Sequence, residues 1–104
     1  MGRVSIAAFR PKPGMEAALL AVIADRLPLL RRLGLATDRP AINCRSSEGI
    51  VLSVSEWVSD GAIDRAHRTP EVLALWQRFE ACSDYVPLTA IADVAEPFPT
   101  FDAI

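Results

Sequence analysis

Between Arg3 and Arg10 the chain alternates, with Val4, Ile6 and Ala8 on one side and Ser5, Ala7 and Phe9 on the other, a period of two that predicts a strand. Pro11 and the Pro13-Gly14 pair interrupt it. From Met15 the spacing changes: Met15, Leu19, Val22, Ile23, Leu27, Leu30 and Leu33 recur every three or four residues, so a long amphipathic helix follows, closed by Gly34 as its C-terminal cap. Pro28 lies inside that helix, where the missing N–H and the ring predict a kink near Ala24. Ala41–Ser46 and Ile50–Trp57 read as two further strands around Ser47-Glu48-Gly49, whose glycine can take the positive φ of a tight turn.

Ser59 is placed to cap a short helix running to His67. Thr69-Pro70-Glu71 then supplies a second start signal: a capping hydroxyl, a proline at the first helical position and an acid near the positive end of the helix dipole. Val72, Leu75, Trp76, Phe79 and Cys82 form the stripe of that helix, and Tyr85–Val94 ends the series as a strand. The order is β-α-β-β-α-β with the second helix split at Arg68–Pro70. It predicts a ferredoxin-like α+β domain, a four-stranded antiparallel sheet with its helices on one face.

Sorting strand residues by alternation gives two unlike faces. Val4, Ile6, Ala8, Ile42, Cys44, Leu52, Val54, Val86, Leu88 and Ala90 make a nearly pure apolar set, which is expected beneath the helices. Ser5, Ala7, Phe9, Ala41, Asn43, Val51, Ser53, Ser55, Trp57, Thr89 and Ile91 make a mixed face of roughly 350 Å² at ordinary strand spacings. A surface of that size predicts a homodimer packed sheet to sheet.

Composition narrows the function classes. A chain of 104 residues fits one domain, residues 1–104, with a loose tail from about Glu96. Its apolar fraction of 51% is high, which again favours a partner. A net charge of -2 and no basic run longer than Arg31-Arg32 speak against nucleic acid. No apolar run approaches a membrane span and the first ten residues do not read as a signal peptide, so a cytoplasmic protein without membrane contact is expected. Cys44 and Cys82 stand apart in unrelated patterns and are expected as buried reduced thiols. One histidine, with no carboxylate or cysteine at ligand spacing, predicts no metal, and the five glycines build no nucleotide-binding loop.

The segment Val54–Phe79 (VSEWVSDGAIDRAHRTPEVLALWQRF) resembles the antibiotic-biosynthesis monooxygenase-like family of dimeric α/β barrels. The shared features are a strand ending in Glu56-Trp57, a helix start at Ser59-Asp60, Ala66-His67, and Pro70-Glu71-Val72 opening the next helix. With the early Pro13-Gly14 and its long helix, the resemblance spans about residues 3 to 95. It implies a dimeric barrel and, in one branch, cofactor-independent oxygenation of a small aromatic or polyketide-like molecule. The quinone-forming members use a tryptophan at the end of the third strand, an asparagine four residues earlier and a tyrosine six residues later. Here those positions hold Trp57, Ser53 and Ile63. The haem-degrading branch carries an axial histidine where this chain has Trp76, so no cofactor is expected.

The candidate catalytic residues are therefore His67 and Trp57, and the candidate substrate-binding residues Ser53, Trp76, Tyr85 and Asn43. His67 is the one side chain whose ordinary pKa lies near neutrality, which suits a general base; a histidine at a helix C-terminus also satisfies exposed carbonyls. Trp76 at helical spacing equally suits a core position, and Tyr85 can stand in for the missing phenol. Two functions follow: a small cofactor-free monooxygenase, or a non-catalytic dimeric binding or accessory domain of the same fold.

Overall fold

The computed structural model describes residues 2–104. Five strands and three helices follow one another as β1 (Arg3–Pro11), α1 (Glu16–Arg32), β2 (Ile42–Arg45), β3 (Val51–Trp57), α2 (Asp60–Ala66), α3 (Pro70–Cys82), β4 (Ser83–Tyr85) and β5 (Asp102–Ala103). The strands form one sheet in the order β4-β1-β3-β2-β5, every neighbouring pair antiparallel. The first four reproduce the ferredoxin-like arrangement expected from the element order, and the fifth is an addition.

Local chemistry accounts for the boundaries. Gly34 takes φ 72° just past α1, and the Leu35 N–H bonds the Leu30 carbonyl while that of Gly34 bonds Arg31, the paired closure that a glycine in this conformation permits. Gly49, at φ 86°, turns β2 into β3. Ser59 caps α2 through a bond from the Ala62 N–H. Thr69 does not cap α3; its hydroxyl donates back to the Arg65 carbonyl, and Pro70 and Glu71 carry the start signal without it. α1 continues through Pro28 to Arg32.

The last strand is shorter than the sequence suggests. β4 pairs with β1 over Ser83–Tyr85, Val86 adds one bond to the Ala8 carbonyl, and Pro87 then has no N–H to extend the ladder. The chain continues instead as two 3-10 turns, Leu88–Ala90 and Ala92–Ala95. The segment from Glu96 is no loose tail: it crosses to the far edge, where Cys44 pairs with Ala103 and Arg45 with Asp102.

The two sheet faces are the reverse of those expected. The helices cover the mixed face, where Phe9 and Val51 pack with Leu19, Val22, Ile23, Leu75, Phe79 and Cys82. Trp57, on the same face, packs with Leu27, Leu30, Leu35, Ala62, Ala66 and Val72. The reason is size. Phe9 and Trp57 are the largest residues of β1 and β3, and burying each is worth about 1.5–3 kcal/mol or more, enough to carry the intervening serines inside once their hydroxyls are bonded. The pure apolar set lies outside, part of it beneath the C-terminal segment: Ala8, Ile50, Leu52 and Ile91 form a third buried cluster, with Cys44, Val86, Leu88 and Phe101 against it. Val4, Ile6 and Ile42 remain 63, 49 and 66% exposed. Cys82 is buried as expected, while Cys44 is only half-buried.

One tether joins the C-terminal segment to the β2–β3 turn. The Asp93 carboxylate accepts from the Ser47 N–H at 3.1 Å and the Ser47 hydroxyl at 2.9 Å. Those bonds, the backbone one foremost, hold its pKa below the usual carboxylate value. A carboxylate with a depressed folded-state pKa stabilises the fold above its unfolded value and loses that contribution as pH falls through the folded one. Between about pH 5 and pH 2 the urea midpoint of Asp93→Asn should therefore fall less steeply than that of the parent chain, and parallel acid limbs would show that the tether contributes nothing.

Candidate functional site

Four of the six residues singled out in the sequence meet at one opening. Trp57 from the end of β3, His67 just past α2, Trp76 from α3 and Tyr85 from β4 line a cleft of about 310 Å³ together with Ala7, Phe9, Arg26, Phe79 and Glu80. The chain has two tryptophans, one tyrosine and one histidine, and all of them are here. The rings support one another. Phe9 and Phe79 stack at 4.5 Å with 9° between planes, Tyr85 tilts against Phe9 at 5.8 Å, and His67 meets Trp76 edge-on at 4.9 Å.

Trp57, Tyr85 and His67 each place a polar ring atom on a protein partner. The Trp57 Nε1–H donates to Ser5 Oγ at 3.1 Å, across the β1–β3 pair. Tyr85 donates its hydroxyl to the Trp76 carbonyl at 3.3 Å, and burial raises its pKa above the ordinary phenol value. His67 Nδ1 lies 2.8 Å from the Ile63 carbonyl. A carbonyl only accepts, so Nδ1 carries the hydrogen, and in the neutral ring Nε2 keeps a lone pair for an outside donor. This contact also satisfies one of the last carbonyls of α2.

Ser53 and Asn43 are not part of this group. Ser53 Oγ donates to Asn43 Oδ1 at 2.6 Å across β2 and β3, and both line a separate opening of about 320 Å³ with Pro28, Arg31 and Pro40. The residue common to the two openings is Arg26.

Arg26 is not among the residues that the sequence patterns single out, although a signal for it exists. It stands at the seventh position after Leu19, fourth after Val22 and third after Ile23, on the stripe that α1 buries. It is 7% exposed. Its Nη1 donates to Ser55 Oγ at 2.8 Å, and its guanidinium lies 5.6 Å from the Trp57 ring centre, within range of a cation–π attraction. The ion pairs among the described residues are Arg3–Asp60, Arg39–Glu56, Arg45–Glu16 and Arg78–Asp25; none includes Arg26. Burial lowers its pKa from the usual value. Withdrawing such a charge from water without a counterion costs on the order of several kcal/mol.

No group of three or more histidine, cysteine, aspartate or glutamate side chains suited to a metal occurs among the described residues, and no helix is long and apolar enough to cross a membrane. The cleft offers flat apolar walls, one histidine and one buried cation. That combination suits a planar molecule with a polar or charged end.

The effect of His67 on the cleft wall is measurable. His67→Ala removes the bond to Ile63 and the edge contact with Trp76; it should lower stability by about 1 kcal/mol in urea titration and shift the tryptophan emission. Unchanged emission would mean that the contact with Trp76 is not kept in solution.

The fold is similar to that of a solved protein. It matches the crystal structure of protein SO0527 from Shewanella oneidensis with a TM-score of 0.60 at 19% sequence identity, over 81% of this chain and 88% of the other. At that identity the likeness speaks for the ferredoxin-like α+β fold alone. No protein-family model and no curated protein matches the chain.

Proposed function

We propose that the chain binds a small planar aromatic molecule in the cleft between α3 and the sheet, and oxidises it as a cofactor-independent monooxygenase of the family its sequence resembles. The observation that carries this reading is the gathering of both tryptophans, the tyrosine and the histidine at one opening of about 310 Å³. That volume accepts a molecule of one or two rings. In this reaction a phenol or hydroquinone loses its proton to His67 Nε2, and the electron-rich anion supplies the electrons that reduce oxygen. One oxygen atom enters the ring and the other leaves as water, so a phenol and O₂ give a quinone and H₂O with no outside reductant.

A second reading has its own support. Trp57 Nε1 and the Tyr85 hydroxyl are both engaged within the protein, and the remaining family positions hold Ser53 and Ile63. A non-catalytic domain that binds the same class of molecule needs none of those groups free. Oxygen uptake with simple hydroquinones, without metal or flavin, separates the two. The oxygenase reading expects uptake matched to quinone formed and at least about a hundredfold loss in His67→Ala. Binding without uptake leaves the accessory role.

The partner in this reading is a second copy of the chain, docked on the open part of the outer sheet face. Ile6, Val54 and Ile42 are aligned across three strands, with Val4 beside them, while the next row, Ala8, Leu52 and Cys44, lies beneath the C-terminal segment. An apolar row so exposed is a fit centre for an isologous interface. Sedimentation at micromolar concentration should give a dimer, and Ile6→Glu with Ile42→Glu a folded monomer. A parent chain that sediments as a monomer would rule this partner out.

A further inference from the structure

We infer that Arg26 is an anion-recognition residue, and that the molecule taken by the cleft is an aromatic carboxylate whose acid group pairs with its guanidinium. The inference rests on the proposed cleft and names the class of ligand it holds.

The argument begins with hydrogen-bond demand. A guanidinium carries five N–H donors and no acceptor. Nη1 has one partner, Ser55 Oγ, while Nε and Nη2 have no protein acceptor. Among the described residues the one sealed side-chain atom lacking a partner is Arg45 Nε, so the free donors of Arg26 are not enclosed in protein; they border open space. Arg26 lines both openings beneath the helices.

The geometry of those donors selects the ligand. Nε–H and Nη2–H lie on the same edge of the planar group and point the same way, the fork that meets both oxygens of a carboxylate. Ser55, by holding Nη1, leaves that edge unoccupied and fixes the plane of the group. The Trp57 ring beside the guanidinium, and the stacked Phe9 and Phe79 beyond, give an attached aromatic ring apolar surface to rest on. Glu80 is the one carboxylate on the cleft wall; it is exposed and makes no ion pair with Arg26. An incoming acid therefore meets an uncompensated cation in a partly dry site, where a charge-assisted pair is strongest.

Matched probes test this with the intact protein: 4-hydroxybenzoate and its neutral isostere 4-hydroxybenzamide, titrated while the two indole N–H signals of Trp57 and Trp76 are followed by NMR. The acid should bind at least tenfold more tightly than the amide to the parent chain. Arg26→Met should bring the two within about twofold of each other by weakening the acid alone, and Arg26→Lys, which keeps the charge and loses the fork, should fall between. Equal affinities in the parent chain, or a preference for the acid that persists in Arg26→Met, overturn the inference and leave the aromatic cleft standing. If neither probe moves either indole signal, the cleft reading falls and the inference with it. If Arg26→Met does not fold, Arg26→Lys carries the test: an acid preference undiminished in it overturns the inference, as equal affinities in the parent chain do.

Discussion

The layer between helices and sheet is organised by the contact of Phe9 with Phe79. These rings stack nearly parallel and fix how closely α3 approaches β1. On the same sheet face the neighbouring positions are small, Ala7, Ser53 and Ser55, and they cannot fill the height that the stacked rings impose. Protein interiors tolerate few voids, so space left in this way is filled by a long side chain or stays open to a ligand. Both outcomes occur here: Arg26 reaches in from α1 to Ser55, and cleft space remains on either side of it.

Seen this way, the polar residues under the helices form one system. Ser5 orients Trp57, Trp57 lies beside Arg26, Ser55 holds Arg26, and Ser53 with Asn43 lines the opening on its other side. Each serine hydroxyl has a side-chain partner, which offsets the cost of burying it. The buried charge is the exception. A cation without a counterion is a poor choice for stability alone, and hydrophobic residues of similar size often serve a core better. Its retention beside a ring of aromatic side chains is the structural fact that any account of function has to explain.

Much of this was legible in the residues. The helix at 16–32, the hairpin around Gly49, the split of the second helical region and the order of elements along the chain follow from periodicity, capping residues and glycine placement, all of which act over a few residues. What was not legible depends on distant parts of the chain. Alternation in β1 and β3 separates two faces but does not say which one faces the helices; Phe9 and Trp57 decide that, by size, against the purer pattern. Pro87 was a readable stop that apolar residues on both sides concealed. At the site, Trp57, His67 and Trp76 lie in the segment 54–79 on which the resemblance rests, Tyr85 lies just beyond it, and Arg26 stands far from it on α1. It was marked only by being a charge on an apolar stripe.

The two-residue strand at 102–103 changes what the sheet exposes along its β2 edge. Lying along β2, it occupies the hydrogen-bonding groups of that margin, and the opposite margin is β4, three residues long and closed by a proline. Exposed margins are where sheets of different molecules join into open-ended stacks. The outer side of β2 is thus covered over Cys44–Arg45, and β4 covers the outer side of β1 over Phe9–Pro11. By covering part of β2, the strand at 102–103 leaves less backbone open to edge-to-edge joining with other sheets.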